Sequence, residues 1–268
     1  MVSLENFSIL NRQSASPIIL HVPHSARVIP DQIRNEILLS GSILEQELDE
    51  VTDSLTDEIA LLAVKGLPES VPTPKIFRNN LSRFVIDPER FPDEREVMNK
   101  VGMGAVYKKT TSGMELRPSN FQDQELLDNY FHPYAQAFTD LVEEVLGKCD
   151  RVVIIDVHSY RPKQHSNAVN HGQKRPSMCI GTDAFHTPGW LTQIFKEEFG
   201  RIGDYFENEP YAGTYVPLSH YRKEPRVHSI MMETRADTFL DTKLAPHEGL
   251  GKVSEALKAI LARISLLT

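Results

Sequence analysis

The chain has 268 residues, of which 40% are hydrophobic and 25% charged, and its formal net charge is −8 at pH 7. This composition is typical of a globular protein with a full core, and we expect a single domain over 1–268. A negative chain without a Lys/Arg-rich tract is not expected to bind nucleic acid or anionic membranes. The two cysteines, Cys149 and Cys179, lie in no CxxC pair, which argues against a disulfide framework and a cysteine-based zinc site.

The N-terminal sequence MVSLENFSILNRQSASP has no basic region followed by an apolar run, and no apolar stretch long enough to span a membrane follows it. These features predict a cytoplasmic protein. Polyanionic partners are therefore not expected. It does not predict an oligomeric state.

Hydrophobic periodicity predicts strands that alternate with helices. In chain order we predict a strand at 16–22, a helix at 43–62, a helix at 124–148 kinked or broken at Pro133, strands at 151–160 and 177–183, a helix at 189–200, a strand at 226–235 and a helix at 246–267. The long polar segment 88–118 is predicted to be a functional loop. The alternation indicates an α/β fold with a mixed, largely parallel sheet flanked by helices on both faces.

Three predicted strands end in residues that can bind metal or move protons. His24 follows the first strand, while His158 and Glu233 lie near the ends of two later ones. Ligand sites in open α/β sheets lie at the carboxyl ends of the strands, so we expect these residues to meet. Two histidines and one carboxylate leave a coordination position open for water, which is the arrangement of a catalytic zinc. Each histidine alone is more often an ordinary loop residue, and the prediction depends on the matched pair.

The predicted helix 43–62 offers a third ligand, because Asp49, Asp53 and Asp57 recur every four residues. Asp49 lies closest to the margin of the apolar stripe and is the first choice, with Asp53 second. A solvated acidic face is the alternative, and we prefer it for Asp57. His21 has HxxH spacing to His24, but it lies within the strand and is better interpreted as a core or ligand-supporting residue.

Glu233 is the predicted general base for an activated water, and an ion pair with Arg235 or Arg83 is the alternative role. Guanidinium groups match carboxylates, so several arginines are candidates for holding a substrate carboxylate. They are Arg78, Arg83, Arg90 and Arg222. No GxSxG elbow, P-loop, strand-linked GxGxxG or catalytic-cysteine signature is present.

Four segments together resemble the N-formylglutamate amidohydrolase family. They are PHSA (23–26), SRFVIDPER (82–90), DVHS (156–159) and IMMETR (230–235). The similarity spans nearly the whole chain in the same order and extends to GMGAVY, FHPY, CIGTDAFHTP and YAGTYVP. The resemblance implies a zinc-exopeptidase-like, phosphorylase/hydrolase-like fold related to zinc carboxypeptidases and aspartoacylases.

The resemblance also implies roles for individual residues. One zinc per chain would be bound by His24, His158 and, by alignment, Asp49, while Glu233 would act on the water and Arg83 on the oxyanion or the substrate carboxylate. The substrate contacts would be Arg78, Arg90, Ser159 and Tyr215. Manganese, cobalt or iron could replace zinc at such a site. The implied reaction is hydrolysis of N-formyl-L-glutamate to L-glutamate and formate, a step of histidine degradation.

Some residues depart from the family pattern. The glycine of PHSG is Ala26, and SRxVxDLNRP appears as SRFVIDPERFPDE. The segment GGxITRxYG of histidine-pathway members appears as YAGTYVPLSH, without its arginine. A different N-acyl amino acid or a peptide-like amide is therefore an alternative substrate. Two further alternatives are a metallo-carboxypeptidase or cell-wall amidase of the same fold, and a non-catalytic binding protein.

Overall fold

The computed structural model describes residues 5–165, 168 and 171–268, which form a seven-stranded sheet flanked by helices. The strands are β1 (Phe7–Leu10), β2 (Ile18–Val22), β3 (Lys75–Asn79), β4 (Val152–Tyr160), β5 (Met178–Gly181), β6 (Tyr205–Glu207) and β7 (Val227–Arg235). The helices are α1 (Asp31–Arg34), α2 (Gly41–Val51), α3 (Thr56–Lys65), α4 (Gln124–Leu126), α5 (His132–Leu146), α6 (Gly189–Phe199) and α7 (Gly249–Ser265). No helix in these ranges is long and apolar enough to cross a bilayer.

The sheet has the order β1-β3-β2-β4-β7-β5-β6 and is mixed. Its centre, β3-β2-β4-β7, is parallel, whereas β1 pairs antiparallel with β3 and β5 antiparallel with β7. The predicted α/β class with a mixed, largely parallel sheet is confirmed. The edge strands β1 and β6 were not predicted, because they are short and only half-buried and so lack a strong apolar pattern.

The central strands are buried on both faces, and successive residues enter different parts of the core. In β2, Ile18 and Leu20 pack into one apolar cluster with α3, α6 and α7, whereas Ile19 packs into a second with α5. β4 divides its residues in the same way. This two-sided burial explains why both strands read as continuous apolar runs rather than as alternating patterns.

The predicted helix 43–62 is two helices in the structure. The first ends at Val51 and the second begins at Thr56, with Leu55 in the left-handed region at φ 60°. A tertiary contact accompanies the break, since the backbone N–H of Asp53 donates to the carbonyl of His24 at 3.0 Å. The Thr56 hydroxyl donates to the Asp53 carbonyl at 2.9 Å. The break turns Asp53 inward, where only 6% of the residue is exposed.

The predicted helix 124–148 changes its helix type just before Pro133. A turn of π-helix over Leu127–Phe131 separates α4 from α5, and Pro133 lies in the first turn of α5. Proline is tolerated there because the first N–H groups of a helix have no intrahelical acceptor.

The segment 88–118 contains little regular structure beyond a short 3-10 helix at Val97–Val101. It is nevertheless tied to the domain by Arg117, which is fully buried and donates to the carbonyl oxygens of Tyr107 and Phe84. The Tyr107 hydroxyl in turn donates to Asp87 at 3.1 Å. The segment therefore packs as an ordered wall beside the strand ends.

Candidate metal and active site

The parallel pairing of β2, β4 and β7 brings the predicted site residues to one edge of the sheet. His21 pairs with Asp156 across β2 and β4, and His158 pairs with Glu233 across β4 and β7. His24 follows β2 by two residues and lies at the same edge. A cavity of about 760 Å³ lies at this edge and is lined by neighbouring loops together with His24, Asp156, His158 and Glu233.

His24, Asp53 and His158 converge in this cavity. The Nδ1 atoms of the two histidines are 3.3 Å apart, and Asp53 Oδ2 lies 2.9 Å from His158 Nδ1 and 3.6 Å from His24 Nδ1. All three residues are buried, and one ligand atom from each lies within 4.8 Å of the others. Two imidazole nitrogens and a carboxylate oxygen facing one point form a donor set that suits zinc.

The far nitrogens of both rings face further carboxylates. His24 Nε2 bonds Asp87 Oδ1 at 2.9 Å, and His158 Nε2 lies 3.1 Å from Asp156 Oδ1 without the geometry of a hydrogen bond. Metal-binding histidines commonly present the second nitrogen to such a carboxylate, which orients the ring. Burial opposes charging of His158, but Glu89, Asp156 and Asp53 outweigh it and hold the pKa of His158 well above its usual value. The surroundings therefore favour positive charge at this point.

The structure places Asp53, and not Asp49, beside the histidines. Asp49, the first choice, lies on α2 and pairs with Arg27 at 2.5 Å at the partly exposed surface, away from the histidines. Asp53, the second choice, contacts His158. The ranking assumed an unbroken helix, whereas the helix ends at Val51 and the following turn directs Asp53 into the cavity.

Glu233 is buried beside His158, with only 7% of the residue exposed. Burial, assisted by the negative charge of Asp53 and Glu89, raises the pKa of its carboxyl to about 8, although His158 opposes the shift. Within the described ranges its Oε2 has no hydrogen-bond partner. Neither alternative ion pair is formed there, since Arg235 pairs with Asp237 and Arg83 with Asp87.

The candidate substrate contacts separate into two groups. Arg83, Arg90, Ser159 and Tyr215 line the cavity. The guanidinium of Arg83 lies 2.7 Å from Asp87, and that of Arg90 lies 3.4 Å from the same carboxylate. The other two arginines are not among the described lining residues: Arg78 pairs with Asp57 at 3.4 Å and Arg222 with Asp183 at 3.5 Å.

Sequence reasoning missed the acidic shell around the histidines, formed by Asp87, Glu89 and Asp156. Glu89 Oε2 lies 3.3 Å from His158 Nε2, and its other oxygen lies 3.5 Å from His21 Nδ1. All three acids lie inside the segments SRFVIDPER and DVHS, which carry the family resemblance. For Asp156, the position two residues before His158 was an available signal.

His21 supports the site from behind. It is fully buried, its Nδ1 bonds Asp156 Oδ1 at 2.8 Å, and its Nε2 bonds the Tyr134 hydroxyl at 2.7 Å. The same Asp156 oxygen faces His158. His21 thus holds the carboxylate whose Oδ1 lies 3.1 Å from His158 Nε2, and its role as a ligand-supporting residue stays a prediction.

We expect His21→Ala to weaken metal binding by about 10–100-fold, the usual effect of removing an outer partner of a ligand. Competition against a chelator of known affinity measures this change. His186→Ala is the matched control, because His186 is equally buried but bonds the Val227 carbonyl outside the cavity. Equal metal affinity in both variants would show that His21 does not support the site.

Comparison with known proteins gives a consistent result. The model of the family described as N-formylglutamate amidohydrolase matches residues 16–240. A solved N-formylglutamate amidohydrolase from Ralstonia eutropha JMP134 superposes with a TM-score of 0.80 at 18% identity, covering 98% of each chain. A gene product from Agrobacterium tumefaciens superposes with a TM-score of 0.72 at 17% identity, covering 98% of this chain and 96% of its own. No curated protein matches the sequence.

Proposed function

Because this chain belongs to the N-formylglutamate amidohydrolase family, we propose that it hydrolyses the amide bond of a small N-acyl amino acid. N-formyl-L-glutamate is the first candidate, and its products are formate and L-glutamate. Membership of the family makes the protein a hydrolase with a small-molecule substrate. The acyl group, the amino acid and the metal are parts of the proposal.

One observation carries this proposal. His24, Asp53 and His158 converge within a cavity of about 760 Å³, and the buried carboxyl of Glu233 lies beside them. A cavity of this size suits a ligand of small-metabolite dimensions. Amide hydrolysis by an activated water needs a metal-type donor set with a buried carboxyl beside it, and this cavity has both.

The proposed metal is one zinc ion per chain, bound by His24, Asp53 and His158. When bound, zinc lowers the pKa of a coordinated water and polarises a carbonyl oxygen. The acidic shell suits a cation here, because Asp87 bonds the far nitrogen of His24 and Asp156 lies 3.1 Å from that of His158.

Glu233 has the position of the general base. It accepts a proton from water as the water oxygen bonds to the amide carbon, and it returns that proton to the leaving nitrogen as the C–N bond breaks. Arg83 and Arg90 line the same cavity and carry N–H groups beyond those facing Asp87, so they can donate to a substrate oxygen.

The test is formate release from N-formyl-L-glutamate by protein that has been stripped with a chelator and reloaded with zinc. We expect activity to vanish on stripping and to return at about one zinc per chain. N-acetyl-L-glutamate and a short peptide serve as comparison substrates. Hydrolysis of the peptide alone would favour a carboxypeptidase or amidase, and zinc-loaded protein inactive on all three would contradict the proposal.

A further inference from the structure

Arg175 differs from every other arginine that lines the cavity. The described lining arginines are Arg83, Arg90, Arg161 and Arg175. Arg83 and Arg90 pair with Asp87, and Arg161 lies 3.4 Å from Glu50. Arg175 has no ion pair with any carboxylate in the described ranges, although only 8% of the residue is exposed.

The contacts of Arg175 hold it firmly but leave donors free. Its Nη1 donates to the Arg161 carbonyl at 2.7 Å and its Nη2 to the Tyr211 hydroxyl at 2.8 Å. Its Nε has no hydrogen-bond partner among the residues described. The guanidinium packs against the rings of Tyr160 and Tyr211, at 5.1 and 5.4 Å from their centroids. A guanidinium has five N–H groups, so this one keeps donors for a ligand.

A buried charge without a partner is unfavourable, and native proteins normally pair it. Here the position is fixed by neutral acceptors and aromatic rings, which orient the guanidinium without cancelling its charge. Such an arrangement suits an arginine whose counter-ion arrives with the ligand.

The strand geometry places this arginine at a useful distance from the reacting residues. Tyr160 lies two residues beyond His158 on β4, so both side chains project from the same face with Cα atoms about 7 Å apart. Glu233, Tyr160, Tyr211 and Arg175 all line the cavity. An anionic group a few bonds from a scissile amide at His158 can therefore reach the guanidinium.

We infer that Arg175, held by Tyr211 and stacked on Tyr160, binds a carboxylate of the amino-acid part of the substrate. The inference rests on the proposed function and narrows it to anionic N-acyl amino acids. Two carboxylates, the α-carboxylate and that of an acidic side chain, offer the same chemistry. Substrates in which one of the two carboxylates is replaced by a neutral carboxamide distinguish which carboxylate Arg175 binds.

The experiment compares zinc-loaded wild type and Arg175→Met on N-formyl-L-glutamate, on its α-amide and on N-formyl-L-glutamine. We expect kcat/KM for N-formyl-L-glutamate to fall by at least about 100-fold, mainly through KM. One of the two carboxamides lacks the carboxylate that Arg175 contacts. The wild type should hydrolyse that carboxamide more slowly than N-formyl-L-glutamate, and Arg175→Met should lower this rate little further. Equal losses on all three substrates, or no loss on any, would overturn the inference.

A binding measurement separates this inference from the proposed function. Calorimetry of glutarate with zinc-loaded wild type and Arg175→Met requires no turnover, and we expect the Kd to rise at least about tenfold in the variant. Equal Kd values, or no glutarate binding by wild type, would overturn the carboxylate role. The wild type could hydrolyse none of the substrates while Arg175→Met still binds glutarate more weakly than the wild type. That result would support the carboxylate role of Arg175 and refute only the proposed reaction.

Two controls exclude a loss of folding. Arg226→Met removes an exposed arginine that pairs with Glu224 and should match wild type. Tyr211→Phe keeps the ring but removes the hydroxyl that holds Nη2, and we expect a smaller loss in the same direction. The thermal midpoint and zinc content of each variant are measured alongside. If Tyr211→Phe lost kcat/KM as completely as Arg175→Met, and lost it on the carboxamide substrates as well, Arg175 and Tyr211 would have a structural role instead.

Discussion

Glu233→Gln is expected to lower kcat by about 10²–10⁴-fold while the protein still binds one zinc per chain. Glutamine has nearly the same shape but cannot accept and return a proton. It should be tolerated, because Glu233 forms no ion pair with Arg83 or Arg235 that the substitution would break. Single-turnover formate release, measured with zinc content, tests the prediction.

The matched control for Glu233→Gln is Glu50→Gln. Glu50 also lines the cavity, but it pairs with Arg161 near the surface rather than lying beside His158. We expect kcat to change by less than about threefold in the control. Zinc-loaded Glu233→Gln with undiminished turnover would assign the proton transfer to another group.

Asp53→Asn is expected to weaken zinc binding by more than about 100-fold. This loss is larger than the usual effect of removing a residue that contacts a ligand but not the metal. The substitution replaces a charged oxygen donor that faces both histidines by a neutral amide. Activity at limiting zinc should fall in parallel and recover partly when zinc is in excess. Zinc affinity is measured by competition with a chromophoric chelator.

Asp49→Asn is the natural comparison, since Asp49 is four residues away and pairs with Arg27. We expect zinc affinity to stay within about threefold of wild type and the unfolding free energy to fall by less than about 1 kcal/mol, because the ion pair is partly exposed. If Asp49→Asn lost the metal and Asp53→Asn kept it, Asp49 would replace Asp53 as the proposed third ligand.

The sequence was sufficient for the fold class and for two of the three converging side chains. The buried strands are continuous apolar runs that end at His24 and at His158, and parallel strands place such ends at one edge of the sheet. The position of Glu233 followed from the same argument, because β7 lies next to β4. For these strands the local hydrophobic pattern was enough to predict where their terminal residues lie in the folded protein.

The third converging side chain, that of Asp53, could not be obtained from periodicity. Apolar spacing predicted an unbroken helix over 43–62, and on that helix Asp53 would face solvent. The helix instead ends at Val51, and the backbone N–H of Asp53 donates to the carbonyl of His24, a residue far away in sequence. Arg175 escaped notice for a similar reason, since only the folded loops show that it lies in the cavity without a carboxylate partner in the described residues.

His24, Asp53 and His158 are proposed to bind one metal ion. Anomalous diffraction from crystals of the zinc-loaded protein, recorded above and below the zinc edge, locates that ion. We predict one strong anomalous peak per chain, about 2.0–2.2 Å from both histidine Nδ1 atoms and from an Asp53 oxygen. A fully loaded crystal with its peak on other residues, or with none between these three, would contradict the account.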